Sequence, residues 1–180
     1  MIITIGGRAG SGKSTAGKLL AKKLGLKFYS MGNLTRKFAE ERGLTLPELN
    51  KLQETDSTID TQIDNLQKEL AKKEDAFVID SRLGVLFIPN ANFKVFLDAD
   101  ETVRAQRILK DSRTLEKSTE LKETLAKLKV REESEIKRYK QYYNFDCYDN
   151  NKYDISINTT NLTPEEVVAE ITGKIKEKGI

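Results

Sequence analysis

The sequence predicts an α/β fold built on a parallel sheet. Three observations carry this. Short apolar runs alternate with segments of helical periodicity along the whole chain. A glycine-rich turn, Gly7-Arg8-Ala9-Gly10-Ser11-Gly12-Lys13-Ser14, stands between the first apolar run and the first helical segment. The chain has 180 residues, the size of one domain with a substantial core.

The elements follow in order. Met1–Ile5 reads as a buried strand ending at Gly6-Gly7. Lys13–Leu24 is a helix with Ala16, Leu19, Leu20 and Leu24 on one face, stopped by Gly25. Lys27–Ser30 is a short strand, and Gly32–Arg42 a helix that ends at Gly43. Thr45-Leu46-Pro47-Glu48 has the form of a capping box opening a further helix, and Ser57–Lys73 is the next one. Phe77–Asp80 and Phe93–Leu97 are strands, each closed by a carboxylate (Asp80, Asp98). Asp100 caps a helix through Leu109, and Thr119–Tyr143 is a long charged helix. Tyr153–Asn158 is the last strand, and Thr163-Pro164-Glu165-Glu166 caps the final helix.

Composition narrows the chemistry. The sequence has no His and one Cys, which removes Ser-His-Asp and Cys-His catalysis, His-based metal sites and an internal disulfide. Lys, Arg, carboxylates and backbone groups remain. Phosphoryl transfer needs mainly positioning and charge stabilisation, so it fits that inventory. The formal net charge is +3 with interspersed signs, which gives no reason to expect a nucleic-acid partner. No apolar run is long enough to span a membrane and the N-terminus has no basic leader, so a cytoplasmic protein is expected.

The glycine-rich turn matches G-x-x-x-x-G-K-[ST] in its required setting of strand before and helix after. Its glycines let the backbone wrap phosphates, and its N–H groups and the following helix N-terminus supply positive potential. The ATP-binding residues are therefore Gly7, Arg8, Ala9, Gly10, Ser11, Gly12, Lys13, Ser14 and Thr15. Lys13 is expected on the β- and γ-phosphates and Ser14 on Mg²⁺. A dinucleotide fingerprint does not fit, because Thr15 stands where its third glycine belongs. Asp80, at a strand end, is a candidate to hold Mg²⁺ directly or through water; the alternative is a turn-capping Asp. Asn151-Lys152-Tyr153-Asp154 has the letters of a guanine-reading motif, but it precedes a strand instead of following one, so it is set aside.

The size favours a small-molecule kinase. Such an enzyme needs arginines outside the phosphate loop to hold the acceptor's own phosphate. The chain offers Arg36, Arg82, Arg104, Arg107, Arg113, Arg131 and Arg138. Arg131, Glu135 and Arg138 are spaced i, i+4, i+7 and share one helix stripe. Two guanidiniums with a carboxylate between them could span both substrate phosphates; a solvated face with ordinary i,i+4 pairs is the other reading. Arg104 and Arg107 follow the fourth strand, and either could clamp the transferring phosphoryl group, Arg107 being nearer the expected lid. Asp56, Asp60, Asp64 and Gln67 form another stripe, from which Asp60 or Asp64 could accept from a cytosine amine; the alternative is a helix face whose acids favour the N-terminal dipole.

The phosphate loop, Ser30–Arg36, Asp56–Gln67, Asp80–Leu83, Arg131–Tyr139 and Tyr153–Val167 occur in order, and together they resemble the archaeal-type cytidylate kinases, a branch of the nucleoside monophosphate kinases. The resemblance implies a three-layer P-loop kinase fold with a five-stranded parallel sheet. It implies a single domain over residues 1–180, with a core of 1–30, 76–110 and 150–180. A nucleotide-binding helical insertion would span about 31–75, and a lid with its following helix about 107–143. The implied activity is ATP + CMP giving ADP + CDP, with Mg²⁺; dCMP is expected as a further acceptor, and a monomer acting on small molecules, without nucleic acid, is expected. By position, Ser30 opens the CMP side, Arg36 grips the acceptor phosphate, Arg82 is a second phosphate ligand, and Arg131 and Arg138 serve catalysis with Lys13 and Arg107. Adenylate, uridylate and dephospho-coenzyme A kinases are the related alternatives, and an RNA-associated ATPase module is the alternative of another class. Two positions depart from the family pattern: Ser81 stands where Gly is frequent before the arginine, and Asn33 where an acidic or small residue is common.

Overall fold

A computed structural model describes residues 1–111 and 120–178. Its centre is a five-stranded sheet made of β1 (Ile2–Gly7), β2 (Lys27–Ser30), β3 (Phe77–Asp80), β4 (Phe93–Asp98) and β5 (Ile155–Asn158). The spatial order is β2-β3-β1-β4-β5 and every pairing is parallel. A parallel sheet needs helical crossovers, which bury both of its faces. The crossovers are α1 (Lys13–Leu24), α2 (Met31–Glu40), α3 (Leu46–Gln53), α4 (Ser57–Lys73), α5 (Gly84–Phe87), α6 (Glu101–Lys110) and α7 (Leu121–Tyr143), and α8 (Pro164–Glu177) follows the last strand. Among the described residues no helix is long and apolar enough to cross a membrane.

The core has two layers. Ile3, Ile5, Val78, Val95, Leu97, Ile155 and Ile157 pack against Ala16 and Leu20 of α1 and Val168 and Ile171 of α8. On the opposite face Ile2, Phe77 and Ile79 meet Met31 and Ile88. The alternation of Ile2 and Ile3 between these layers is the two-residue period of a strand. A smaller cluster of Ala39, Leu49, Ile59 and Ile63 holds α2, α3 and α4 together as a helical lobe. Thr45 and Thr163 both form the expected capping boxes, at α3 and α8.

Some boundaries differ from the sequence expectation. β1 runs on through Gly6 and Gly7, because both are paired with Phe96 and Leu97 of β4. α2 starts at Met31 and stops at Glu40, with Ser30 as its N-cap accepting from the Asn33 N–H. β5 starts at Ile155, since Asn150–Lys152 form a 3₁₀ turn capped by Asp149; that turn takes up Asn151 and Lys152, the first two residues of the discarded guanine motif. α5 was not expected: four residues are too few to show a period. Thr119, expected to start the long helix, lies outside the described residues, as do Arg113 and the rest of residues 112–119 of the expected lid.

The register brings the strand ends to one edge. Ser30 pairs with Asp80, Gly7 with Leu97 and Asp98 with Asn158. Ligands bind at this carboxyl edge in open α/β sheets, beside the point where strand order reverses. Here that point is β1, which lies between β3 and β4.

Candidate active site

The loop joining β1 to α1 is shaped by its glycines. Gly10 has φ +80°, and a Cβ there would come 2.6 Å from the Arg104 carbonyl oxygen. Gly12, at φ +89°, is the N-cap of α1, so the first N–H groups of that helix face the loop's concavity. Lys13 is buried and donates to the Arg8 carbonyl at 2.6 Å. Burial, followed by the charge of Arg82, pulls the Lys13 ammonium down to about 8, against the opposing pull of Asp80 and Glu135.

The Ser14 hydroxyl donates to the Asp80 carboxylate, and Ser30 donates to the same oxygen at 3.3 Å. Among the described residues no group of three or more acidic or thiol side chains could hold a metal alone. The Ser14–Asp80 pair is instead a small set of hard oxygens beside the phosphate loop. That set suits Mg²⁺, which usually completes its shell with water and substrate phosphates.

The loop opens into a cleft of about 480 Å³ lined by Gly10–Ala16, Arg36, Asp80, Arg82, Arg107 and Arg131. One end is walled by Ile108, Leu162, Pro164 and Val167 together with Thr159. Arg107 donates there to the Thr159 hydroxyl at 2.9 Å and its carbonyl at 2.7 Å, while Thr159 donates to the Ser11 carbonyl at 3.0 Å. Arg104 takes a different place from Arg107. It is buried, donates to the carbonyls of Ala99 and Ala9 at 3.1 and 3.2 Å, and pairs with Glu132. Glu132 also accepts from Arg8 at 2.6 Å, so one carboxylate of α7 ties the phosphate loop to α6. Arg8 further lies 3.4 Å from Asp98 and over the Tyr148 ring.

Across the cleft, Glu135 organises the cations. It lies 2.6 Å from Arg82, accepts from Arg131 at 3.1 Å and accepts from the Tyr148 hydroxyl. Burial works against its charge, but Arg82 and Arg131 overcome it and hold the carboxyl at about 2. Glu135 is buried, so this part of the stripe is no solvated face. Arg36 lines the same cleft and donates to Asn33. The departure at Asn33 therefore positions Arg36.

Arg138 is placed apart from Arg131. It is buried, and its Nη1 donates to both Asp60 oxygens at 2.6 and 2.8 Å. It walls a narrower cavity of about 50 Å³ that continues the main cleft and is shared with Gln53, Asp60, Asp64, Gln67, Ser81 and Glu135. Both acids of the expected stripe reach this cavity. Burial lifts Asp60 above its usual range even beside Arg138. Burial, with the Asp60 charge behind it, pushes Asp64 up to about 6, against the hydrogen bonds of Tyr143 and Gln67. Ser81 donates to Gln67 Oε1, and Gln67 Nε2 donates to Asp64 at 3.0 Å. A glycine at position 81 would leave that chain of bonds without its first donor.

The sequence offered no sign of Gln53, Glu132 or Tyr148. Glu132 lies inside the Arg131–Tyr139 run but off its stripe, and its partners Arg8 and Arg104 come from elsewhere in the chain; Gln53 and Tyr148 belong to no spaced motif. Gln53 is 3% exposed and donates to Asp60 at 3.0 Å.

Residues 2–161 match the cytidylate kinase-like family. A cytidylate kinase of Natronomonas pharaonis is 42% identical over 176 residues, 97% of this chain and 89% of the relative. One from Archaeoglobus fulgidus is 38% identical over 180 residues, 100% of this chain and 97% of the relative. Among solved structures, the shikimate kinase of Aquifex aeolicus superposes with a TM-score of 0.61 at 25% identity, covering 100% of this chain and 99% of that one. An uncharacterized protein from Eubacterium ventriosum superposes with a TM-score of 0.71 at 20% identity, covering 98% of both chains.

Proposed function

The chain belongs to the cytidylate kinase-like family, and on that premise we propose how its residues pass the γ-phosphoryl group of ATP to CMP. One observation carries the reading: Lys13 in the phosphate loop and Arg36, Arg82 and Arg131 line a single cleft. A donor phosphate and an acceptor phosphate can therefore be held in one cavity.

ATP enters with its phosphates on the N–H groups of the loop and on Lys13. Its adenine takes the apolar slot of Ile108, Leu162, Pro164 and Val167, beside Arg107. CMP enters from the helical lobe, with its phosphate on Arg36, Arg82 and Arg131. Ser30 stays at the junction through Asp80. The Asp80 and Ser14 oxygens would hold Mg²⁺, which when bound neutralises charge on the β- and γ-phosphates.

An oxygen of the CMP phosphate attacks the γ-phosphorus, and the bond from that phosphorus to the β-phosphate oxygen breaks, leaving ADP and CDP. The nucleophile is already an anion, so no residue has to remove a proton in the attack. Lys13 and the arginines supply fixed positive charge where negative charge moves. Glu135 keeps Arg82 and Arg131 from turning away between turnovers, so little reorganisation is left for the reaction itself. The reading extends to dCMP, which carries the same base and phosphate. It takes the enzyme as a cytoplasmic monomer working on free nucleotides, without nucleic acid.

The test is transfer of label from γ-labelled ATP. Label is expected in CDP with the wild type, and about 10²-fold or more slower transfer with Arg131→Ala. Wild-type transfer by Arg131→Ala contradicts the assignment.

A further inference from the structure

Among the described residues, three that line the narrow cavity beyond Glu135 have a buried polar atom with no hydrogen-bond partner. Arg82 Nε is one of them, but it lies 2.6 Å from the Glu135 carboxylate, which leaves Gln53 Oε1, an acceptor, and Arg138 Nε, a donor. Buried polar groups are seldom left unpaired, because each loses its water without compensation. Two such atoms of opposite kind on one cavity wall call for a ligand edge that offers a donor and an acceptor side by side.

The orientation of the Gln53 amide is set by its neighbours. Its Nε2 donates to Asp60, and Asp60 accepts from Arg138 at 2.6 and 2.8 Å. An Asp60 carboxylate held by a guanidinium has no proton to give, so the Gln53 amide must present its NH₂ to it. The carbonyl oxygen is thereby left as the free end. The backbone is fixed as well: Tyr142 of α7 donates to the Gln53 carbonyl at 2.7 Å, and the adjacent Glu54 is held by Ser134 and Lys137 at 2.7 and 3.0 Å. Asp64, the other acid of the cavity, already accepts from Tyr143 on one oxygen and from Gln67 on the other.

Resting on the kinase reading above, we propose that Gln53 is the residue that selects cytosine over uracil, its Oε1 accepting from the cytosine amine while Arg138 Nε donates to a ring acceptor beside it. Cytosine presents a donor at N4 and acceptors at N3 and O2. Uracil presents O4 where cytosine has the amine, and sets an acceptor against Gln53 Oε1. The amide cannot turn to accommodate it without losing its bond to Asp60 and placing oxygen against carboxylate. Selection therefore works by repulsion as well as attraction.

The experiment compares kcat/KM for CMP, UMP and the monophosphate of 2-pyrimidinone riboside, which lacks any group at position 4, in the wild type and in Gln53→Met. The ratio between substrates within one preparation is independent of the fraction folded. Wild type is expected to favour CMP over both others by about 10-fold to 100-fold. In Gln53→Met, CMP and the 2-pyrimidinone nucleotide are expected to fall within about threefold of one another, while UMP stays behind both because its N3–H still faces Arg138 Nε. Gln53→Leu removes the same acceptor and serves if methionine does not pack. A variant that keeps the wild-type ratio, or a wild type indifferent to the amine, overturns the proposal. A wild type that phosphorylates no pyrimidine nucleotide overturns the kinase reading instead, which is a separate result.

Discussion

The Arg82 guanidinium lies 2.6 Å from the Glu135 carboxylate, fastening the end of β3 to the middle of α7. Arg131 joins the same carboxylate from one helical turn away. Glu135→Gln removes the buried carboxylate that both cations share. A loss of about 3–5 kcal/mol in stability is expected, with a rise of about tenfold or more in KM for CMP. Because the folded Glu135 carboxyl is held at about 2, below its usual 4.5, its stabilisation is complete above pH 4.5 and is lost as pH falls from there toward 2. Urea midpoints measured between pH 6 and pH 3 should decline more steeply for wild type than for Glu135→Gln.

Lys13 titrates near 8 in the free enzyme because it is buried among other cations. ATP phosphates favour its charged form, so ATP binding weakens once the free ammonium is lost. KM for ATP should be flat below pH 8 and about tenfold higher at pH 9. Lys13→Met should abolish that alkaline rise and lower kcat by about 10³-fold. Steady-state kinetics from pH 6.5 to 9.5 checks both.

Ser14 and Asp80 meet across the floor of the cleft. Ser14→Ala and Asp80→Asn should each raise the Mg²⁺ concentration for half-maximal rate by about tenfold. The double variant should cost less than the product of the two, because both act on one ion. A Mg²⁺ titration at saturating nucleotides reads this directly.

Glu132 joins Arg8 of the phosphate loop to Arg104 of α6. Glu132→Gln should slacken the loop and raise KM for ATP by about tenfold, while KM for CMP stays within about twofold. Equal changes in both constants would show a general loss of structure instead of a positioning effect.

The phosphate loop was legible because its chemistry is local: fixed glycine spacing, a lysine and a hydroxyl between a strand and a helix. The stripe of Arg131, Glu135 and Arg138 was legible as a stripe, since helical geometry alone sets it. Which anion each arginine meets was not, because Arg82 and Asp60 arrive from distant parts of the chain. The same reason hid Glu132, which sits beside Arg131 but meets Arg8 from the far end of the chain; Gln53 was hidden because its surroundings in sequence carry no motif. Gly6-Gly7 reads as a strand end until its partner strand is known, and only the pairing with Phe96 and Leu97 shows that the strand continues. Position in the chain favours Arg107 over Arg104 only as nearer the expected lid, and burial separates them: Arg104 braces the loop and Arg107 lines the cleft.

The central claim is tested most directly by ranking acceptors. Wild-type enzyme is incubated with ATP, Mg²⁺ and CMP, dCMP, UMP, AMP or GMP in turn, and kcat/KM is measured from ADP release. CMP should stand first, with dCMP near it and UMP about tenfold or more behind. AMP or UMP ranking above CMP, or ADP release that needs no acceptor, contradicts the account.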